Sequence, residues 1–116
     1  MNTRSTPSIQ RVLRHIDEHL GQPLTLTDLA EVAGLSMWRF ATVFRQQVGI
    51  APHRYICRLR VQRAQALMLE GISPATAASE AGFYDQSHLS RHFKTMFGMA
   101  PGRYLSISRE QGTPAC

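Results

Sequence analysis

The sequence predicts an all-α protein of seven helices, arranged as two helix–turn–helix units joined by a long central helix. Three observations carry that reading. Apolar residues recur at helical rather than strand spacing along the chain. Glycines and prolines alternate with Ser, Thr and Asp in the order that ends one helix and caps the next. One stretch of sequence occurs twice.

The repeat is clearest around 81–104. Ala33-Gly34-Leu35 matches Ala81-Gly82-Phe83. After a one-residue insertion at Tyr84, Phe40 matches Leu89, Phe44 matches Phe93 and Arg45 matches Lys94. Gly49 then matches Gly98, Ala51-Pro52 matches Ala100-Pro101, and Arg54-Tyr55 matches Arg103-Tyr104.

Residues 1–7 are polar and are expected to be disordered. Ser8 is the expected cap of the first helix, whose stripe is Ile9, Val12, Leu13, Ile16 and Leu20, with Gly21 and Pro23 ending it. Thr25 and Asp28 have capping-box spacing ahead of Leu26, Leu29, Ala30 and Ala33. Gly34 stops that second helix and Ser36 caps the third. There Phe40, Val43, Phe44 and Gln47 face inward, while Trp38, Thr42 and Arg45 face out. Trp38 on a polar face is either packed beneath a neighbouring segment or offered to a partner, for example to a thymine methyl.

The first unit is expected over 8–50. Pro52 starts a long helix to about Glu70, a linker over 51–70 with apolar residues on more than one side, as suits burial between two layers. Its Arg54, Arg58, Arg60 and Arg63 form either a solvated face or phosphate contacts. The second unit is expected over 71–107. Ser73 and Pro74 open an alanine-rich helix, and Asp85 caps a helix from Gln86 to Phe97. On that helix Phe93, His92, Met96 and Gln86 are expected on the side of Leu89, with Ser87, Arg91 and Lys94 opposite and Ser90 on the flank. Pro101 starts a last helix to about Ile107, and 108–116 is expected to be a flexible tail.

The chain has 116 residues, one or two small units, with a hydrophobic fraction of 43% that suits an ordinary core. Formal charge is +5, and of thirteen Lys and Arg only Lys94 is lysine. Arginine's planar fork donates two bonds at once and suits phosphate and guanine. Cys57 and Cys116 form no C-x-x-C, as suits a reducing cytoplasm. Neither an apolar leader nor a membrane-length apolar run appears.

From Ala78 to Tyr104 the pattern A-x-x-x-G-F-x-D-Q-S-x-L-S-R-x-F-K-x-x-F-G-x-x-P-x-x-Y resembles the DNA-binding domain of AraC/XylS-type bacterial transcription regulators. The resemblance extends over roughly 9–107, and the length is like that of the small stand-alone members without a ligand-sensing domain. It implies two homeodomain-like helix–turn–helix subdomains whose recognition helices enter successive major grooves. A monomer would then read an asymmetric site of roughly 15–20 base pairs of double-stranded DNA. The implied activity is transcription regulation in the bacterial cytoplasm, at the nucleoid when bound, activating through contact with RNA polymerase. No cofactor is expected.

Carried over by position, the first recognition helix offers Ser36, Met37, Trp38, Arg39, Ala41, Thr42 and Arg45. The second offers Gln86, Ser87, Ser90, Arg91 and Lys94. Arg91 suits guanine and Gln86 adenine. Arg45 and Lys94 suit phosphates, and Arg54 and Arg103 are further phosphate candidates. Three departures from the family pattern stand out. Ala41 and Thr42 replace longer polar residues. Pro74 and Ala77 replace larger aliphatics, a loss worth ~2–5 kcal/mol each if nothing fills the space; Met96, Met99 or Ile72 are the candidates to fill it. Ala51 and Ala100 stand where Ser or Thr would cap, a loss of ~1 kcal/mol each.

Other readings compete. His15/His19 and His88/His92 are i, i+4 pairs that could share a metal, but no third ligand lies near either, and neither is H-E-x-x-H. Cys57 between Arg54 and Arg58 is either a redox sensor or a small half-buried hydrophobe. No phosphate loop or serine elbow appears, so no enzyme is expected. The chain could instead be a repressor, or a domain cut from a longer ligand-responsive regulator, although Met1 and the short tails favour a complete regulator. From another class, its basic helix could dock an acidic protein groove or a membrane surface, and the duplicated basic face argues against that.

Overall fold

A computed structural model of the chain describes residues 6–110. The described residues form seven helices: α1 (Pro7–Glu18), α2 (Leu26–Ala33), α3 (Met37–Val48), α4 (Pro52–Leu69), α5 (Pro74–Ala81), α6 (Gln86–Phe97) and α7 (Pro101–Glu110). No strand occurs among the described residues. The chain divides into two compact units, the first ending at Ile56 and the second beginning at Cys57.

Helix starts follow one local rule. Side chains of Thr6, Thr25, Ser36, Ser73 and Asp85 accept from the backbone N–H three residues on, at the starts of α1, α2, α3, α5 and α6. Each supplies a partner to an amide the helix itself leaves unpaired. The start of α1 differs from expectation. Thr6 rather than Ser8 is the cap, because Pro7 suits the first helical position and has no N–H to satisfy. The Thr6 N–H also donates to Gln47 Oε1 at 2.8 Å, tying this start to α3. Thr6 and Pro7, expected to be disordered, are therefore structured; residues 1–5 lie outside the described residues. The far end differs too: α7 continues through Ser108 to Glu110, and the rest of the expected tail, 111–116, lies outside the described residues. α4 and α7 start at prolines preceded by Ala51 and Ala100, which contribute only their carbonyls, to Tyr55 N and Tyr104 N at 3.0 Å.

The turns repeat as well. Gly34 and Gly82 sit at φ 74° and 96°, where a Cβ would be strained. Leu35 N donates to Ala30 O at 3.0 Å, and Phe83 N to Ala78 O at 2.9 Å. The two helix–turn–helix corners thus end their first helices with the same paired hydrogen bonds.

In the first unit α1 packs on α2 and α2 on α3. Ile9, Val12, Ile16, Leu20, Leu29, Ala30, Ala33, Phe40, Phe44 and Ile56 are buried there. In the second unit α5 packs on α6 and α6 on α7. Its core joins Val61, Ala64 and Met68 of α4 to Ala77, Ala78, Ala81, Phe83, Leu89, Phe93 and Leu105. Ile72, Phe97 and Leu69 pack against this cluster, whereas Met96 is 39% exposed. Cys57 packs there too. Burial pushes its thiol above the ordinary range, only partly opposed by the Arg60 charge, so it is held as the thiol.

One aromatic contact appears in both units. Phe44 meets Tyr55 edge-on at 5.6 Å and 72°, and Phe93 meets Tyr104 at 5.4 Å and 72°. These are the matched positions of the sequence repeat.

Capping sets a stability expectation. Asp85→Ala should lower the second unit's stability by about 1 kcal/mol, and Ala100→Ser should raise it by about 0.5–1 kcal/mol. Urea unfolding midpoints of the two variants check both signs.

Candidate nucleic-acid interface

α3 and α6 turn one face inward and leave the other in solvent. On α6 Leu89 and Phe93 are fully buried. Ser87, Arg91 and Lys94 are exposed and Ser90 is half-buried, as their spacing predicts. Gln86 and Met96, expected on the inner side, are exposed instead. They occupy the first turn and the end of the helix, where the chain outruns the core. For Gln86 this leaves the amide accessible.

On α3 Phe40 and Phe44 are fully buried. Trp38 is 76% exposed, which removes the packed-beneath reading. Met37 is 47% exposed, and its sulfur accepts from Thr27 Oγ1 at 3.4 Å. Arg39 and Arg45 are exposed, Ala41 and Thr42 half-buried. Ser36 Oγ accepts from Arg39 N at 3.2 Å, leaving its own proton to donate. Thr42 Oγ1 donates to Trp38 O at 3.0 Å, so its methyl is the more available part. Met37, Trp38, Ala41 and the Thr42 methyl make this face largely apolar. At the matched positions α6 carries Gln86, Ser87, Ser90 and Arg91, which are polar. Arg45 and Lys94 sit in the last turn of their helices. Arg54 and Arg103 are exposed near the starts of α4 and α7.

The histidine pairs are otherwise engaged. His15 and His19 stack at 4.2 Å, with His19 Nδ1 2.9 Å from His15 O. His88 and His92 lie 4.8 Å apart, and both pack on Phe83. Among the described residues no three His, Cys, Asp or Glu side chains are grouped to hold a metal. No described helix is long and apolar enough to cross a membrane. Sequence reasoning passed over Tyr84, which is 91% exposed directly ahead of the Asp85 cap. Its signal was the insertion that separates the two repeats.

Two helix–turn–helix units, each presenting the outer face of its second helix, define a nucleic-acid-binding class of protein. Residues 29–107 match a helix-turn-helix domain family. The protein LumQ of Photobacterium leiognathi is 35% identical over 82% of this chain and 39% of its own length. NphR, a transcriptional activator of a Rhodococcus species, is 34% identical over 85% of this chain and 30% of its own length. The chain thus spans well under half the length of these curated relatives. The DNA-binding domain of the global transcriptional factor AdpA, solved with a target DNA, superposes with a TM-score of 0.84 at 31% identity, covering 92% of this chain and 96% of that one. The chain belongs to the AraC family of DNA-binding transcription regulators.

The imidazole of His92 carries a pH expectation. Burial holds its pKa below the ordinary 6.5, helped by the neighbouring His88 and Arg91 charges. A base with a depressed folded value disfavours its charged form in the fold. Its contribution is therefore complete above about pH 6.5 and lost as pH falls through the folded value. The melting temperature of the wild-type chain should drop more between pH 7.5 and 5.5 than that of His92→Gln. Thermal scans of the two proteins at both pH values check it.

Proposed function

We propose that α3 and α6 are the recognition helices of a transcription activator that binds, as a monomer, an asymmetric site of roughly 15–20 base pairs, each helix in a major groove. The observation that carries this reading is that one frame appears twice with different faces. Matching glycine turns and aromatic contacts accompany an apolar face on α3 and a polar, cationic face on α6. Apolar groups favour thymine methyls, while a guanidinium forks onto guanine and a carboxamide onto adenine. The half-sites therefore differ and no palindrome is needed. Arg45 and Lys94, with Arg54 and Arg103, hold phosphates. Activation proceeds through contact with RNA polymerase, in keeping with the activator NphR among its relatives.

Selection of bound sequences from a random DNA pool tests the whole reading. It should return one asymmetric consensus, with the stronger base preferences on one side. A symmetric consensus, or none, would remove the two-faced reading.

Two substitution results separate base reading from positioning. Arg91→Ala should weaken binding to the selected site by ~1–3 kcal/mol and relax preference at particular base pairs, as read by competition with single-base variants. Arg45→Ala and Lys94→Ala should weaken binding to every sequence and each reduce the salt slope by about 1, as measured by titration at several salt concentrations.

A further inference from the structure

Tyr84 has no role in that reading, and it is the residue by which the second corner differs from the first. In the first corner Leu35 is followed at once by the cap Ser36. In the second, Phe83 is followed by Tyr84 and then by the cap Asp85. The insertion adds one backbone N–H and one ring that is 91% exposed.

His88 accommodates the insertion. Its Nδ1 lies 3.3 Å from Tyr84 N and accepts the added N–H. Its ring meets Phe83 edge-on at 5.3 Å, and its backbone N–H donates to Asp85 Oδ1 at 2.8 Å. One residue of α6 thus grips three consecutive residues of the turn. The matched residue in the first repeat is the exposed Arg39, where no inserted amide needs an acceptor.

We propose that Tyr84 is a further DNA contact, its phenol donating to a backbone phosphate at the rim of the groove that α6 enters, with His88 as the positioning residue that holds the turn. The inference rests on reading α6 as a recognition helix. Residues at the N-terminal end of such a helix meet base edges. The chain just ahead of them crosses the phosphate-lined rim, where tyrosine is a suitable donor. The phenol is neutral, so unlike Lys94 it releases no counterion and leaves the salt slope unchanged.

The test uses the full chain, its selected site and mixed-sequence DNA. Tyr84→Phe, which removes only the hydroxyl, should weaken binding to both DNAs by about fivefold, with the salt slope unaltered. His88→Phe keeps a ring against Phe83 but removes the acceptor, and should cause a similar loss. The double variant should be no weaker than either single one. His88→Asn returns an acceptor near the Nδ1 position and should restore binding.

Unchanged affinity in Tyr84→Phe, or a loss confined to particular base pairs, overturns the phosphate contact. Additive losses, or His88→Asn as weak as His88→Phe, overturn the positioning role. Should His88→Phe not fold, His88→Leu, which also lacks an acceptor, takes its place in both comparisons. A wild-type chain without salt-dependent DNA binding overturns the recognition-helix reading itself, before any variant is compared.

Discussion

The edge-on contact between a phenylalanine of the second helix of each corner and a tyrosine four residues into the helix that follows is the constraint on which the rest depends. In the first unit it joins Phe44 to Tyr55, in the second Phe93 to Tyr104, at the same 72° angle. Such pairs contribute about 0.5–1.5 kcal/mol beyond their burial, but direction matters more here than magnitude. Phe40 and Phe44 of α3 are buried four residues apart, as are Leu89 and Phe93 of α6. Two anchors on one stripe prevent the helix from turning about its axis. The outer face is then fixed by what the inner face is locked against.

That arrangement separates folding from recognition. The residues that make the frame recur in both copies: the glycine corner, the phenylalanine, the proline start and the tyrosine. Among the outward-facing residues the cations recur, Arg45 as Lys94 and Arg54 as Arg103, but the first two turns of the second helices do not. Trp38 stands where Ser87 stands, and Thr42 where Arg91 stands. The two faces have diverged while the scaffold beneath them has kept its geometry. The cores have also diverged at one matched position, since the second unit has Ala77 where the first has the larger Leu29, while Ala30 and Ala33 recur as Ala78 and Ala81. Ile72 packs against the second core, as do Phe97 and Tyr104, whose rings lie within 4.5–5.4 Å of Phe93 and of each other.

Helix ends with one unambiguous cap were legible in the sequence. Thr25, Ser36, Ser73 and Asp85 act over three residues, and no distant contact competes with them. Where two hydroxyls flanked a proline the local signal was ambiguous. Pro7 at the first helical position favours Thr6 over Ser8, and the bond from Thr6 N to Gln47, 41 residues away, adds a tie that no local rule reports. The inner and outer faces were legible at the helix centres and failed at the ends, where Gln86 and Met96 extend past their core. The grip of His88 on its turn was illegible because it needs the position of an inserted amide. The i, i+4 spacing of His88 and His92 did not by itself favour a metal pair, and it gave no sign that both rings pack on Phe83.

Electrostatics unites the frame with its proposed use. Arg45 and Lys94 lie in the final turn of their helices, where carbonyls carry the negative end of the helix dipole. A cation there stabilises an exposed helix by about 0.3–1 kcal/mol before any partner arrives. The same charge, in solvent at the end of a helix lying in a groove, suits a phosphate. The base-reading candidates lie mostly nearer the N-terminal end, where the helix has no use for a cation and Ser, Gln or Trp can stand freely. On the proposed reading, helix chemistry thus favours nonspecific attraction at one end and sequence choice toward the other. On the same reading, a change in sequence preference is expected to need substitutions only in the first two turns, leaving both the fold and the general attraction to DNA intact.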